Sequence, residues 1–206
     1  KALYALHSRG GEDRLYSPDR LARIAWPPAE GAAPRILTEA WDRSAASFAF
    51  TPDSRRVWMI AEEHGHDKLF TVPAEGGPVE RAFEVTEGVY SALAIPEKAP
   101  STRVLALWGS MTRPENIVRV DARAGGHQAL TDFHSDRTAA IDWQPPRHLW
   151  FTAANGKRIH SLLVLPPAFD PAKKYPLVVF PHGGPHNMTK DQFFVRWNYH
   201  LLTSPG

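Results

Sequence analysis

From the first residues to about Trp143 the chain is built of short runs in which apolar and polar positions alternate, each broken after a few residues by Gly, Pro, Asp or Asn. A period of two with frequent turn signals predicts half-buried strands rather than helices. The runs recur. Arg20-Leu-Ala-Arg-Ile24, Lys68-Leu-Phe-Thr-Val72 and Asn116-Ile-Val-Arg-Val120 share one pattern, and 48 residues separate Ile24 from Val72 and Val72 from Val120. Each is followed by a glycine turn (at Gly31, Gly76-Gly77 and Gly125-Gly126) and then by a polar stretch ending near Thr38, Thr86 or Thr131. A second series links Phe48-Ala-Phe50 and Val57-Trp-Met-Ile60 to Leu93-Ala-Ile95 and Val104-Leu-Ala-Leu107, with Pro52-Asp53-Ser54 as the hairpin turn. Strands this short cannot bury a face alone, so the units must stack. Four strands in a unit of roughly 40 to 50 residues fit the blade of a β-propeller. The spacing predicts two nearly whole blades, residues 45–91 and 90–143, and part of an earlier one in 1–41.

The pattern changes at Gln144-Pro-Pro-Arg147, which reads as a linker. Beyond it, two β-rich runs flank Asn155-Gly156, a pair suited to the two positive-φ positions of a type I′ hairpin. Residues 177–180, Leu-Val-Val-Phe, are wholly apolar and bounded by Pro176 and Pro181, which predicts a central strand covered on both faces. That strand runs into His182-Gly183-Gly184-Pro185. Two glycines remove every Cβ from the turn, so backbone N–H groups can approach a ligand atom and face developing negative charge. Residues 191–203 read as a helix, with Phe194, Trp197 and Leu201 at helical spacing, Asp191 at its start and Pro205-Gly206 beyond its end.

The run Tyr175-Pro-Leu-Val-Val-Phe-Pro-His182-Gly183-Gly184-Pro185, followed by an aromatic-rich segment and Ser204-Pro205-Gly206, resembles the start of the hydrolase domain in the prolyl oligopeptidase family of serine peptidases, in its acylaminoacyl peptidase and dipeptidyl peptidase-like branch. The resemblance implies a mainly β chain, with the C-terminal blades of a propeller at 1–146 followed at 147–206 by the first strands and helix of an α/β-hydrolase domain. It implies that the backbone N–H of Gly184 is one oxyanion donor, that Gly183 shapes the loop, and that His182 braces it. In that family the nucleophile sits in a Gly-x-Ser-x-Gly elbow with Asp and then His after it, and no such elbow occurs in these 206 residues. The chain is accordingly read as an internal fragment of a serine peptidase of oligopeptides, inactive alone and completed by the remainder of the same polypeptide. Two other functions fit the residues: a propeller binding scaffold with a degenerate hydrolase domain, and an esterase, since His-Gly-Gly loops also occur in lipases and esterases. The repeats argue against the esterase.

Composition removes several classes. The net charge of +2 comes from 24 basic and 22 acidic side chains scattered along the chain, without the basic stripe that nucleic acid needs. With no cysteine there are no disulfides or thiolate metal sites, and no apolar run reaches the roughly 18 residues of a membrane span. No cofactor is implied. His64-Gly-His66-Asp67 holds two imidazoles and a carboxylate, but a metal site needs three or four convergent ligands, and a hairpin turn with solvated histidines is the simpler expectation. Glu62 and Glu63 could meet a substrate amine or stay solvated. The tryptophans at 41, 58, 108, 143 and 150 are expected to be core or blade-packing residues. Compartment, oligomeric state, side-chain preference and endo- or exopeptidase action are not encoded in any of these motifs.

Overall fold

The computed structural model describes residues 1–10, 17–98, 103–184 and 187–206. Three antiparallel sheets succeed one another along the chain as blades. The first has three strands, β1 (Ala2–His7), β2 (Arg20–Ala25) and β3 (Arg35–Ile36), in the order β1-β2-β3. The second is β4 (Ala45–Phe50), β5 (Arg56–Glu63), β6 (His66–Pro73) and β7 (Glu80–Arg81), and the third is β8 (Val89–Ala94), β9 (Val104–Ser110), β10 (Arg113–Asp121) and β11 (Gly126–Ala129). Both four-stranded sheets pair sequential neighbours in meander order. The 48-residue register holds: Ile24, Val72 and Val120 are each the penultimate residue of their strand, and each pairs with the strand before it, opposite Leu3, Val57 and Val104.

The middle blade shows why alternation and continuous hydrophobicity coexist here. Along β5, successive side chains point to opposite faces. Val57, Met59 and Ala61 pack with Leu21, Leu37, Phe70 and Val72 towards the first blade, whereas Trp58 and Ile60, with Leu69 of β6, pack against Val104, Ala106, Val118 and Val120 of the third. A blade sandwiched between two others must be apolar on both faces. The third blade is not so covered: Val104, Ala106, Val118 and Val120 are buried, but Ile117 on the other face is 39% exposed.

Turn chemistry fixes the hairpins. At the β4–β5 turn the Asp53 carboxylate accepts from the Thr51 hydroxyl (2.6 Å) and the Arg55 N–H (3.1 Å), as the Pro-Asp-Ser signal predicts. The two-residue β5–β6 turn has positive φ at both His64 (52°) and Gly65 (84°), the type I′ form. Gly88 is required where it stands: at φ +71° an added Cβ would lie 2.4 Å from the Gly109 carbonyl oxygen and 2.7 Å from the Trp108 ring.

After the blades come a short helix that the pattern does not signal, α1 (Ser135–Ala139), and a separate two-stranded sheet, β12 (Arg147–Thr152) with β13 (Arg158–Leu163). Three expectations need correction here. The β12–β13 turn is not a two-residue type I′ turn: strand pairing ends at Thr152 and Arg158, and in the longer loop between them only Gly156 has positive φ (79°), with the Asn155 side-chain oxygen accepting the Lys157 N–H (3.1 Å). Residues 177–180 form no strand; Leu177 and Val179 are 78% and 74% exposed, and no described strand pairs with them. An apolar run becomes a central strand only where neighbours cover it and satisfy its backbone. The helix over 191–203 shrinks to α2 (Tyr199–Thr203), which starts where the Asn198 side chain accepts the N–H groups of His200 and Leu201. Phe194, Trp197 and Leu201 stay exposed, and a short helix whose apolar stripe packs on nothing is marginal.

Candidate functional site

The loop singled out by sequence lies open. An added Cβ on Gly183 would meet nothing within 4 Å. His182 is exposed, and its Nδ1 donates to the carbonyl of Gly183 at 2.9 Å, a local bond that sets the tautomer with the proton on Nδ1. Gly184 comes next at φ 157°, and Pro185 lies outside the described residues. The preceding run leans on the C-terminal segment, with the Phe180 ring 6.3 Å from Trp197 and 6.2 Å from Tyr199. That segment is tied back to the linker: the His200 Nε2 bonds to the Gln144 carbonyl at 2.8 Å, and the His200 ring stands edge-on to Trp143 at 4.9 Å. The chemistry open to the loop rests on its backbone N–H groups, which are free of side-chain crowding at Gly183.

A second constellation, which the sequence pattern does not reveal, joins the second and third blades to the C-terminal segment. Asp191, at 2% exposure, accepts the Gly88 N–H (2.6 Å) and the Met111 N–H (2.8 Å) with its two oxygens, while its own N–H donates to the Gly65 carbonyl (2.8 Å). It is a buried pin between turns of two blades rather than the start of a helix. Beside it the Lys190 ammonium bridges Glu62 (2.5 Å) and Asp67 (3.0 Å). Burial lowers the Lys190 pKa, but the two carboxylates outweigh it and hold the ammonium above its ordinary range; burial pushes Asp67 up despite that partner. Of the tryptophans, Trp58 and Trp108 are core residues and Trp41 packs edge-on to Phe70, but Trp150 is 42% exposed, against the packing expectation, and faces His160 at 4.6 Å.

His66 corrects the expectation of solvated histidines. It is 4% exposed, its Nδ1 donates to the Gly88 carbonyl (2.9 Å), and its ring stacks on His148 at 5.0 Å. His148 in turn stacks on His160 of β13 and shares a 2.9 Å hydrogen bond with it through Nδ1 and Nε2. Burial holds His66 and His160 below the usual imidazole range, and for His160 the neighbouring histidines add to the effect. Among the described residues no group of three or more His, Cys, Asp or Glu could hold a metal ion. Glu63 is also not a solvated carboxylate. It is 6% exposed, ion-paired to Arg43 and Arg81 (both 2.5 Å) and to Lys68 (3.3 Å), and although burial works against its charge, these cations keep its pKa below the ordinary value. With Glu62 on Lys190 and Glu63 on three cations, neither is poised for a substrate amine.

No protein-family model matches the chain. In sequence it is 29% identical over 193 residues to dipeptidyl-peptidase 5 of Arthroderma otae, covering 92% of this chain and 26% of that protein, and 27% identical over 183 residues to dipeptidyl-peptidase 5 of Schizosaccharomyces pombe, covering 86% and 25%. In fold it is similar to the acylaminoacyl peptidase of Pyrococcus horikoshii, with a TM-score of 0.74 at 20% identity over 100% of this chain and 29% of that one. It is also similar to dipeptidyl peptidase 4 of Porphyromonas gingivalis, with a TM-score of 0.63 at 15% identity over 91% and 26%. The chain thus spans about a quarter of the length of the curated relatives it matches. Among the described residues no helix is long and apolar enough to cross a membrane.

Proposed function

We propose, from a chain whose sequence relatives are dipeptidyl-peptidases 5 and whose fold is shared with acylaminoacyl peptidase, that it is part of a serine peptidase that releases dipeptides from the amino ends of oligopeptides. The observation that carries this reading is the extent of the likeness: a match over 92% of the chain necessarily runs through both the blades and the segment after Trp143. In this reading residues 1–146 are propeller blades and 147–206 open the hydrolase domain. A serine elsewhere in the longer polypeptide attacks the scissile carbonyl, a histidine carries the proton to the leaving amine, and the Gly184 N–H helps hold the tetrahedral oxyanion. Gly183 keeps the approach to that donor clear, and His182 braces the turn through the Gly183 carbonyl. Blades covering the site restrict substrates to extended peptides. The exposed run at 177–180 takes its place in the hydrolase sheet when its neighbours are present, which accounts for four apolar residues in a row.

The test compares two polypeptides. The 206 residues alone are expected to hydrolyse no peptide or ester and to remain unlabelled by a serine-directed phosphonate, because without a nucleophile only residual binding effects remain. The full-length protein is expected to be labelled once per chain and to release dipeptides from the free amino end of a substrate peptide. Stoichiometric labelling of the short chain, or a labelled full-length protein that cuts only esters, contradicts the proposal.

A further inference from the structure

At the end of β5 remote from the His64–Gly65 turn, the apolar packing between the second and third blades stops at Trp58 and Val120, and the blades part into an open cleft of about 630 Å³. Its walls carry five arginines, at 56, 81, 103, 119 and 123, and three carboxylates, Asp53, Glu80 and Asp121. Each acidic group has a local role, although Asp53 and Asp121 are held by neutral donors and keep their charge, so the lining carries five cations against three anions. Asp53 closes the β4–β5 turn, Asp121 accepts the N–H groups of Arg123 (3.1 Å) and Ala124 (3.0 Å) in the turn after β10, and Glu80 pairs with Arg56 (2.6 Å). Arg81 is held by Glu63 and Glu84, each at 2.5 Å. Three guanidiniums remain. Among the described residues the Arg119 guanidinium bonds only to the neutral side chain of Gln128, and Arg103 and Arg123 have no ion-pair partner.

We propose that this interblade cleft binds a small oxyanion carrying two or more negative charges. Arginine presents a planar fork of donors matched to carboxylate and phosphate oxygens. A cleft lined by an excess of one sign over an apolar floor concentrates counter-charge, and here Trp58, Ala82 and Val120 form that floor. The chemistry is common to phosphoryl and polycarboxylate ligands, so the experiment separates them.

Pyrophosphate and, separately, citrate are titrated by calorimetry into the wild-type protein, into R119Q/R123Q, and into Lys157→Gln, which alters an exposed cation in the β12–β13 turn. The proposal expects saturable one-to-one binding of at least one of the two anions, weakening as salt is added. It expects a loss of affinity of at least about tenfold in R119Q/R123Q, since two charge-assisted contacts are removed, and none in Lys157→Gln. Binding of both anions assigns a general oxyanion site, and binding of one alone assigns its chemical class. Thermal melting checks that the double variant is folded, as expected for two exposed side chains. No saturation by either anion, or affinities equal in wild type and R119Q/R123Q, overturns it.

Discussion

Asp191 shows how much of the stability at the blade tips depends on one side chain. Its oxygens satisfy two backbone donors of the third blade while its own N–H reaches the second. Truncation to alanine leaves the Gly88 and Met111 N–H groups buried without a partner, at about 1 to 3 kcal/mol for each group. Asp191→Ala is therefore expected to lower stability by about 2 to 6 kcal/mol in chemical denaturation, and Asp191→Asn, which keeps one oxygen acceptor, by less. An alanine variant as stable as wild type would show that Asp191 is no pin. Nothing local in the sequence announces it: the partners of Asp191 lie 103 and 80 positions away, and a lone Asp before aromatic residues reads as a helix start. His66 is hidden for the same reason, since the carbonyl and the ring that bury it come from Gly88 and His148. By contrast, the Pro52-Asp53-Ser54 turn is legible because its hydrogen bonds reach no further than Arg56.

Among the elements, the β12–β13 hairpin meets the second blade through rings, and this gives the contact a pH dependence. The folded-state values of His66 and His160 lie below the ordinary imidazole value, chiefly through burial. In the unfolded chain both titrate near about 6.5, so below that pH the unfolded state binds more protons. The stabilisation is complete above about 6.5, is lost as pH falls through it, and levels off below the folded values. The bond between His148 and His160 works in the same direction, because two imidazolium rings leave no acceptor nitrogen for it. The melting temperature is expected to fall between about pH 7.5 and 5.5, a window above the ordinary carboxylate range. The variant H66N/H160Q, which keeps hydrogen-bonding groups but cannot charge, is expected to flatten that slope, and an unchanged slope would exclude the histidines as its source. Element reading from sequence succeeds where the element is covered within the chain. Trp58 and Ile60 face one blade and Val57 and Met59 the other, so the period-two signal and the packing agree. It fails at 177–180 and 191–203, where apolar patterns are present but, among the described residues, the faces that would receive them are not.

At the scale of the molecule, the repeat is the most legible property of the chain. A 48-residue interval between Ile24, Val72 and Val120 becomes three strands with equivalent pairing, each antiparallel to the strand before it in its own sheet. The role proposed for the segment beyond Trp143 is less legible, because an oxyanion donor would be a backbone group, and sequence shows only the glycines that leave room for it. The central claim, that Gly184 supplies such a donor in a longer serine peptidase, is tested most directly by the turnover of the full-length protein with Gly184→Pro, which deletes the N–H and fixes φ. With folding verified by thermal melting, the account predicts a fall in kcat for dipeptide release of about a hundredfold to a thousandfold, the usual loss for one oxyanion donor. A folded variant whose kcat stays within a few-fold of wild type would contradict it and leave the glycine pair as a simple turn.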